Sequence, residues 1–174
     1  MQPRILIDSR KFELTLQRLS HQLIENHGNF QDTVLIAVQP RGTGLADRIV
    51  ALLRKEGHQM PYGKLDITFH RDDFRTADKP LIPGETRLDF SIENKKVVLI
   101  DDVLFSGRTI RAAMDALLEY GRPGKVELLV LVDRRFTRQV PIQPDYTGLS
   151  IDTIQTEKVK VEWTPEPRVW IVDK

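Results

Sequence analysis

The chain has 174 residues, the size of one domain with a substantial core. Hydrophobic residues make up 40% and charged residues 29%, as in ordinary globular proteins, and a net charge of +1 provides no overall attraction to nucleic acid or membranes. The absence of cysteine excludes disulfides, thiolate metal sites and a cysteine nucleophile. No apolar signal core and no run of about 20 apolar residues for a membrane span is visible, so we expect a cytoplasmic protein.

The first predicted element is a helix. Asp8 or Ser9 can cap it, and it runs to about Asn26. An apolar stripe at helical spacing is expected to face the core or a dimer contact: Phe12, Leu16, Leu19 and Leu23. Arg18 and His21 lie elsewhere on this helix, where basic residues alone indicate a solvated surface.

A buried strand is predicted at residues 33–38, followed by a glycine loop and a helix at 45–53. The loop contains Arg41, whose guanidinium can hold a phosphate or diphosphate, and Gly42, which permits close backbone approach. Glycine turns are common in α/β proteins, so this loop on its own is weak support for a ligand site.

Residues 65–68 predict another strand, and the regular pattern then stops. Residues 69–90 hold many charged side chains, among them Arg71, and few apolar ones. A loop of this length in a compact domain is usually a lid or a binding loop. The alternative is an exposed surface excursion without a role in binding.

The central feature of the chain begins at residues 97–100, four apolar residues that predict a strand buried on both faces of a parallel sheet. Asp101 and Asp102 follow, where ligands bind in open α/β sheets. Their carboxylates would repel a phosphate and instead suit ribose hydroxyls or a magnesium ion.

A short loop with Ser106, Gly107 and Thr109 continues this stretch and leads into a predicted helix at 110–118. Backbone N–H groups, hydroxyls and the helix N-terminus together form a phosphate site. A sugar phosphate bound with a divalent cation therefore satisfies both the loop and the acidic pair. The alternative is an ordinary strand–loop–helix connection with solvated acids.

The C-terminal third predicts three further strands. Residues 125–132 form a strand whose carboxyl end should lie beside the other ligand loops. Residues 158–163 and 168–172 predict two antiparallel strands. The alternation places Lys158 and Lys160 on the solvent side, as exposed surface.

Residues 97–109 resemble the phosphoribosyl pyrophosphate (PRPP) motif of type I phosphoribosyltransferases. Pro40, Arg41 and Gly42 resemble their pyrophosphate loop, although Pro40 stands where the nearest subfamily usually has threonine. Longer stretches along nearly the whole chain resemble the PyrR family of uracil phosphoribosyltransferases and pyrimidine attenuation regulators: 18–21, 65–73, 101–109, 115–117, 121–123, 131–134, 141–142 and 157–159.

The resemblance implies a single phosphoribosyltransferase domain over residues 1–174. Its α/β fold should have a mainly parallel central sheet flanked by helices, a flexible hood or lid loop at about 69–90, and C-terminal antiparallel strands. The implied reaction converts uracil and PRPP to UMP and diphosphate, with Mg²⁺ as cofactor. Since the family's members form dimers and larger assemblies, a homodimer or higher homo-oligomer is expected.

The resemblance also implies site roles. Asp101 and Asp102 should hold the ribose hydroxyls and the Mg²⁺ ion, the ion mainly through PRPP, while Arg41 and Arg71 meet the diphosphate. The PRPP and 5′-phosphate loop is expected to comprise Val103, Leu104, Phe105, Ser106, Gly107, Arg108 and Thr109. The base is placed near Phe105, Val132, Asp133 and Arg134, where main-chain groups can recognise its amide edge.

For regulation, the resemblance implies UMP-dependent binding of a hairpin in the pyrimidine operon mRNA leader. Arg18 and His21 match positions on the family's basic face. The family's usual Gly-His-Arg after Arg134 is replaced here, and lysines near Gly148 are missing, so phosphate contacts are lost unless Arg135 and Arg138 compensate.

Three readings of the function follow. The chain is a uracil phosphoribosyltransferase that regulates or has lost RNA binding, or mainly an RNA-binding attenuator with a UMP-sensing site. The third reading, purine-base specificity on the same scaffold, is disfavoured by the long shared segments.

Overall fold

The computed structural model describes residues 3–73, 82–154 and 156–173. The middle of the predicted lid, residues 74–81, and Gln155 lie outside the described residues. The helices are α1 (Ser9–His27), α2 (Gly42–Lys55) and α3 (Arg108–Leu117). The strands are β1 (Arg4–Ile7), β2 (Thr33–Val38), β3 (Tyr62–Leu65), β4 (Lys96–Leu104), β5 (Lys125–Arg135), β6 (Tyr146–Asp152), β7 (Glu157–Glu162) and β8 (Arg168–Asp173).

A five-stranded sheet in the order β3-β2-β4-β5-β6 forms the centre of the molecule. Every neighbouring pair in it is parallel. Successive residues of a strand point to opposite faces. Accordingly Val98 and Ile100 join the core beneath α1 and α2, whereas Val97 and Leu99 join the core beneath α3. The predicted α/β class and the doubly buried β4 strand are confirmed.

A second, antiparallel sheet has the order β1-β8-β7. It packs over α1 and α2, where the ring of Trp163 meets Phe12 edge-on with centroids 5.5 Å apart. The guanidinium of Arg48 in α2 stacks on the same indole, and its Nη2 donates to the main-chain carbonyl of Trp163 at 2.9 Å. The predicted antiparallel strands near the C-terminus are confirmed, and β1 is added to them by pairing with β8.

The strand predicted at 65–68 is misplaced. β3 comprises Tyr62–Leu65, and Thr68–His70 form a 3₁₀ turn. The pairing with β2 explains the shift, because Val38, the last residue of β2, lies opposite Leu65. Once β2 turns away, residues 66–68 have no parallel partner.

Two strands are longer than predicted. β4 continues to Leu104, so Asp101 and Asp102 lie within the strand, with Asp101 opposite Val130 of β5. β5 continues to Arg135 because β6, a strand that the pattern did not predict, pairs with it as far as Asp152. β6 lacks a continuous apolar run since it forms the edge of the sheet.

The helix predictions agree well with the structure. Asp8 caps α1 by accepting the Lys11 N–H at 2.8 Å, and Gly28 ends the helix with a left-handed φ of 57°. α2 and α3 each begin two or three residues earlier than predicted, directly in the glycine loops. Among the described residues, no helix combines the length and apolar character needed to cross a bilayer.

Candidate active site

A cavity of about 700 Å³ opens at the carboxyl ends of the parallel strands. This volume is typical of small-molecule sites. The three loops predicted to bind ligand line the cavity through Gln39, Pro40, Arg41, Arg71, Asp72, Asp73 and residues 101–110. Further lining residues lie outside these loops: Ile67, Arg134, Lys158 and Val159.

The acidic pair is held in place by the backbone. Asp101 is 4% exposed and Asp102 is 8% exposed. One carboxylate oxygen of Asp101 accepts the N–H of Asp102 at 2.9 Å, and one of Asp102 accepts the N–H of Val103 at 2.7 Å. Both carboxyl groups are therefore oriented before any ligand binds.

Burial raises the pKa of both carboxyl groups. For Asp101, the nearby charge of Asp102 raises the pKa further. For Asp102, the positive charge of Arg41 offsets part of the rise in pKa that burial causes. Two buried acids so close together attract positive charge, such as a metal ion or a developing sugar cation.

The acidic pair provides oxygen ligands of the kind that Mg²⁺ prefers. Among the described residues, no group of three or more acidic, histidine or cysteine side chains is placed to hold a metal ion. Mg²⁺ commonly takes one or two carboxylates from the protein and completes its octahedron with water and substrate phosphate oxygens. Asp101 and Asp102 fit an ion shared with a phosphorylated substrate, and they do not form an all-protein cage.

The loop after β4 has the geometry of an anion site. Gly107 precedes α3 with a left-handed φ of 86°. A side chain there would be strained, and its Cβ would lie 2.7 Å from Val140 Cγ2. Ser106 and the first residues of α3, Arg108 to Ile110, line the cavity, and the Ser106 hydroxyl accepts the N–H of Arg108 at 3.4 Å. The N-terminus of this ten-residue helix therefore lies at the cavity, where free backbone N–H groups favour an anion.

The loop after β2 lies beside the acidic pair. Gly42 begins α2 so close to β4 that a Cβ would stand 2.1 Å from the carbonyl oxygen of Ile100. Only glycine allows this approach, and it brings Arg41, which is exposed, to the cavity wall. The peptide bond between Gln39 and Pro40 is cis.

The first arm of the predicted lid lines the cavity through Arg71, Asp72 and Asp73. Arg71 forms an ion pair with Asp73 at 2.6 Å, and Asp72 pairs with Arg108 of the phosphate loop. The returning arm is fixed to the sheet edge, where Arg87 and Lys64 exchange backbone hydrogen bonds of 2.8 and 3.0 Å. A lid role for residues 69–90 stays a prediction.

At the proposed base end, Arg134 is buried. Its guanidinium carbon lies 4.1 Å from the ring centroid of Phe105, and its Nε donates to Thr153 Oγ1 at 2.8 Å. Val132 is fully buried in the core and Asp133 forms an ion pair with Arg138, so neither side chain lines the cavity. A contact of these two residues with a base would have to use the main chain.

The four residues predicted for RNA lie outside the cavity. Arg18 donates to the carbonyls of Thr147 and Gly148 on edge strand β6, and His21 pairs with Glu56. Arg135 pairs with Asp152 at 2.8 Å. Arg138 is directed into the protein and contacts the loop after β4. Their RNA role stays a prediction.

Sequence reasoning missed several cavity residues. Lys158 is exposed, as predicted, and it also lines the cavity, together with Val159. No local pattern shows this, because β7 reaches the site only through the second sheet. Asp72 and Gln39 also line the cavity. They sit next to predicted site residues, which was the available signal.

Comparison with known proteins is decisive for the family. The family model for the phosphoribosyl transferase domain matches residues 5–166. "Bifunctional protein PyrR" of Mannheimia succiniciproducens is 44% identical over 163 residues, covering 91% of this chain and 90% of the relative. The chain belongs to the PyrR family. Proteins of the same name from Clostridium novyi and Geobacter sulfurreducens are 44% and 43% identical, covering 90% of this chain and 88% and 89% of theirs.

Solved structures agree with this fold. A phosphoribosyltransferase (HGPRT-ase) from Leishmania tarentolae in complex with GMP superposes with a TM-score of 0.72 at 16% identity, covering 98% of this chain and 96% of that one. A hypoxanthine phosphoribosyltransferase from Staphylococcus aureus gives 0.65 at 19% identity, covering 85% and 77%. At such identities the likeness shows the fold alone. The family model and the PyrR relatives identify this chain as a phosphoribosyltransferase.

Proposed function

We propose that the protein is a PyrR-type uracil phosphoribosyltransferase, converting uracil and PRPP to UMP and diphosphate, and that it also regulates pyrimidine operon expression through UMP-dependent mRNA binding. One observation carries the proposal. The buried pair Asp101 and Asp102, the loop around Gly107 and the Arg41 loop line one cavity in a chain 44% identical to Bifunctional protein PyrR over about nine tenths of its length.

The chemistry needs positioning and charge, and no protein nucleophile. The ring nitrogen of uracil forms a bond to the anomeric carbon as the bond from that carbon to diphosphate breaks, through a state with oxocarbenium character, and the proton of this nitrogen passes to the released diphosphate or to water. The carboxylates of Asp101 and Asp102 hold the ribose hydroxyls and stabilise the positive charge that develops on the sugar. Arg41, which lines the same cavity, stabilises the charge that grows on the leaving diphosphate.

The phosphate loop anchors the 5′-phosphate and fixes the anomeric carbon between base and leaving group. Arg71 lines the cavity, and it can reach the diphosphate after release from its ion pair with Asp73. When bound, Mg²⁺ neutralises diphosphate charge. Asp101 and Asp102 are the residues that hold it, mainly through the substrate.

Base recognition is proposed at the Phe105 end of the cavity. Arg134 covers one face of the Phe105 ring. Main-chain groups of residues 132–134 read the amide edge of uracil.

A base panel tests this assignment. We expect kcat/KM for uracil to exceed that for cytosine, hypoxanthine and guanine by roughly 100-fold, because unmatched hydrogen-bonding groups in a buried site are strongly rejected. Nucleotide formation is measured with PRPP and Mg²⁺ for each base. The comparison of uracil with the purine bases matters most, because a structural neighbour is named a hypoxanthine phosphoribosyltransferase. A higher kcat/KM with hypoxanthine than with uracil would refute uracil specificity.

The regulatory proposal rests on the exposed face of α1. Arg18 is fixed against the edge strand β6 by two carbonyls, at 3.2 Å from Thr147 and 2.5 Å from Gly148, and His21 is exposed one turn further along. Arg135 is exposed at the far end of the same edge. These basic side chains can bind RNA phosphates without blocking the cavity.

Filter binding with a pyrimidine operon leader RNA at physiological salt tests regulation. We expect UMP to tighten binding about 10-fold, since a bound effector typically couples by this amount. Arg18→Glu should weaken binding at least as much, while the matched charge reversal Arg54→Glu on α2 should not. Absence of RNA binding by a protein that transfers uracil normally would leave only the enzymatic half of the proposal.

We further propose that residues 1–174 form one domain, since the second sheet shares its core with α1 through Val159, Val169 and Phe12. A homodimer or larger homo-oligomer acting in the cytoplasm, where PRPP and messenger RNA are found, is part of this proposal.

A further inference from the structure

The segment after β5 folds back over the phosphate loop. Residues 137–142, here called the support segment, run behind this loop on the side away from the cavity. Ser106 accepts the N–H of Gln139 at 2.9 Å and that of Val140 at 3.3 Å through its carbonyl. The side chain of Val140 also packs against Gly107.

Arg138 is the principal contact of the support segment. Its Nη1 donates to the carbonyls of Phe105 and Arg134, and its Nε donates to the carbonyl of Ile142 at 2.9 Å. Its Nη2 forms an ion pair with Asp133. The side chain is only 23% exposed, so the guanidinium is used inside the protein.

Neighbouring side chains strengthen the same attachment. Thr137 Oγ1 lies within hydrogen-bonding distance of the carbonyls of Phe105 and Arg134, at 3.1 and 2.8 Å. Gln139 accepts the Nε of Arg108 through its side-chain oxygen at 2.6 Å. Four consecutive residues of the phosphate loop, 105–108, are therefore contacted by the support segment.

This arrangement meets a hydrogen-bonding requirement of an anion site. A loop that turns its N–H groups toward a phosphate must turn carbonyls the other way, and buried carbonyls need donors. Arg138, Thr137 and the N–H groups of the support segment supply donors to the carbonyls of Phe105 and Ser106. Without them, the loop would have to satisfy these carbonyls by turning toward water.

We propose that Arg138 and Thr137 are positioning residues that hold the phosphate loop in its anion-binding conformation. This inference rests on the proposed transferase function. It assigns Arg138 to the phosphate loop and not to the RNA face. Arg138 acts through the backbone of Phe105 and does not touch the substrate.

Arg138→Ala tests the proposal. We expect KM for PRPP to rise about 10-fold to 100-fold, the effect of losing charge-assisted hydrogen bonds, while kcat falls less than about 3-fold. The reason is that the 5′-phosphate is held equally in the substrate and in the transition state. Calorimetry should show weaker binding of ribose 5-phosphate by the same factor and unchanged binding of inorganic diphosphate, which uses the Arg41 loop.

Matched variants keep the test decisive. Lys125→Ala removes an ion pair at the start of β5, the strand whose other end leads into the support segment. This change should leave the binding of ribose 5-phosphate and of diphosphate unaffected. Thr137→Val keeps the side-chain shape and should raise KM about 3-fold, the loss of one neutral hydrogen bond; it decides the question if Arg138→Ala does not fold. Unchanged KM for PRPP, or equal weakening of ribose 5-phosphate and diphosphate, would overturn the proposal.

A failure of the proposed function can be distinguished from a failure of this inference. If wild type binds ribose 5-phosphate but transfers no base, the transferase assignment is wrong. The ribose 5-phosphate and diphosphate comparison in the Arg138→Ala and Thr137→Val variants then still supports or overturns the role of the support segment.

Discussion

Replacing Asp101 and Asp102 together by asparagine is expected to reduce uracil transfer by roughly 1000-fold or more, while making the protein more stable at neutral pH. The loss follows from the mechanism. The amides keep the shape and still accept the backbone N–H groups that orient the carboxylates, but they carry no charge to stabilise the sugar cation or to hold Mg²⁺. Removing one well-placed electrostatic group typically costs 100-fold to 1000-fold.

The gain in stability follows from the burial of these groups. Burial raises the pKa of both carboxyl groups in the folded state, so ionising them at pH 7 opposes folding. Asparagine removes that penalty. The gain should be complete above the raised pKa and should vanish as the pH falls toward 3.8, the ordinary value, where the unfolded chain is protonated as well.

Thermal unfolding across pH and a PRPP-dependent assay measure both effects on one sample. A protein of this size gains about 2 to 4 °C in Tm for each kcal/mol. Asp115→Asn is the matched control, because Asp115 is an exposed residue of α3, paired with Arg111, and does not line the cavity. Full activity in the double variant would remove the acidic pair from the mechanism, and an unchanged Tm would contradict the burial argument.

Arg41→Ala is expected to lower kcat about 100-fold with a smaller change in KM for PRPP. Arg41 is exposed at the start of α2 and stands next to the acidic pair, where the leaving diphosphate is proposed to lie. Because the leaving group gains most of its charge in the transition state, an arginine aimed at it contributes mainly to the rate.

The same change should shift the pH profile. Arg41 lowers the pKa of Asp101 and Asp102, so removing its charge raises both. Activity requires the ionised carboxylates, and the acidic limb of kcat/KM must therefore move to higher pH. Arg41→Lys, which keeps the charge without the bidentate geometry, should restore the position of the limb and part of the rate.

Steady-state kinetics between acidic and neutral pH provide the test. Arg54→Ala, at the last turn of α2, is the control for losing a positive charge from the same helix. A normal kcat in Arg41→Ala would exclude Arg41 from leaving-group stabilisation. An unmoved acidic limb would show that it does not act on the carboxyl pair.

Much of the architecture could be predicted because it depends on local pattern. The capped helix α1, the buried strands β2 and β4, and the glycine turns before α2 and α3 each follow from neighbouring residues. The candidate site followed as well, since parallel strands bring their carboxyl ends to one edge and the loops after β2 and β4 had to meet there. The family likewise followed from contiguous motifs.

Contacts between distant segments could not be predicted this way. β6 forms only because β5 provides an edge for it to pair with, and this pairing extends β5 to Arg135. Lys158 reaches the cavity because β7 belongs to a second sheet that the sequence does not place. The sequence predicts Arg138 only as a candidate for RNA binding, and it does not show that the chain reversal after β5 turns this side chain toward the carbonyl of Phe105.

The fold class, the phosphate loop with its acidic pair and the membership of the PyrR family all follow from residues that are close together in the chain, so they could be inferred before folding. Which arginines face solvent and which support the site depends on the folded chain. That choice depends on which carbonyls and carboxylates the folded chain brings within hydrogen-bonding distance of each guanidinium, and a linear pattern does not contain those distances.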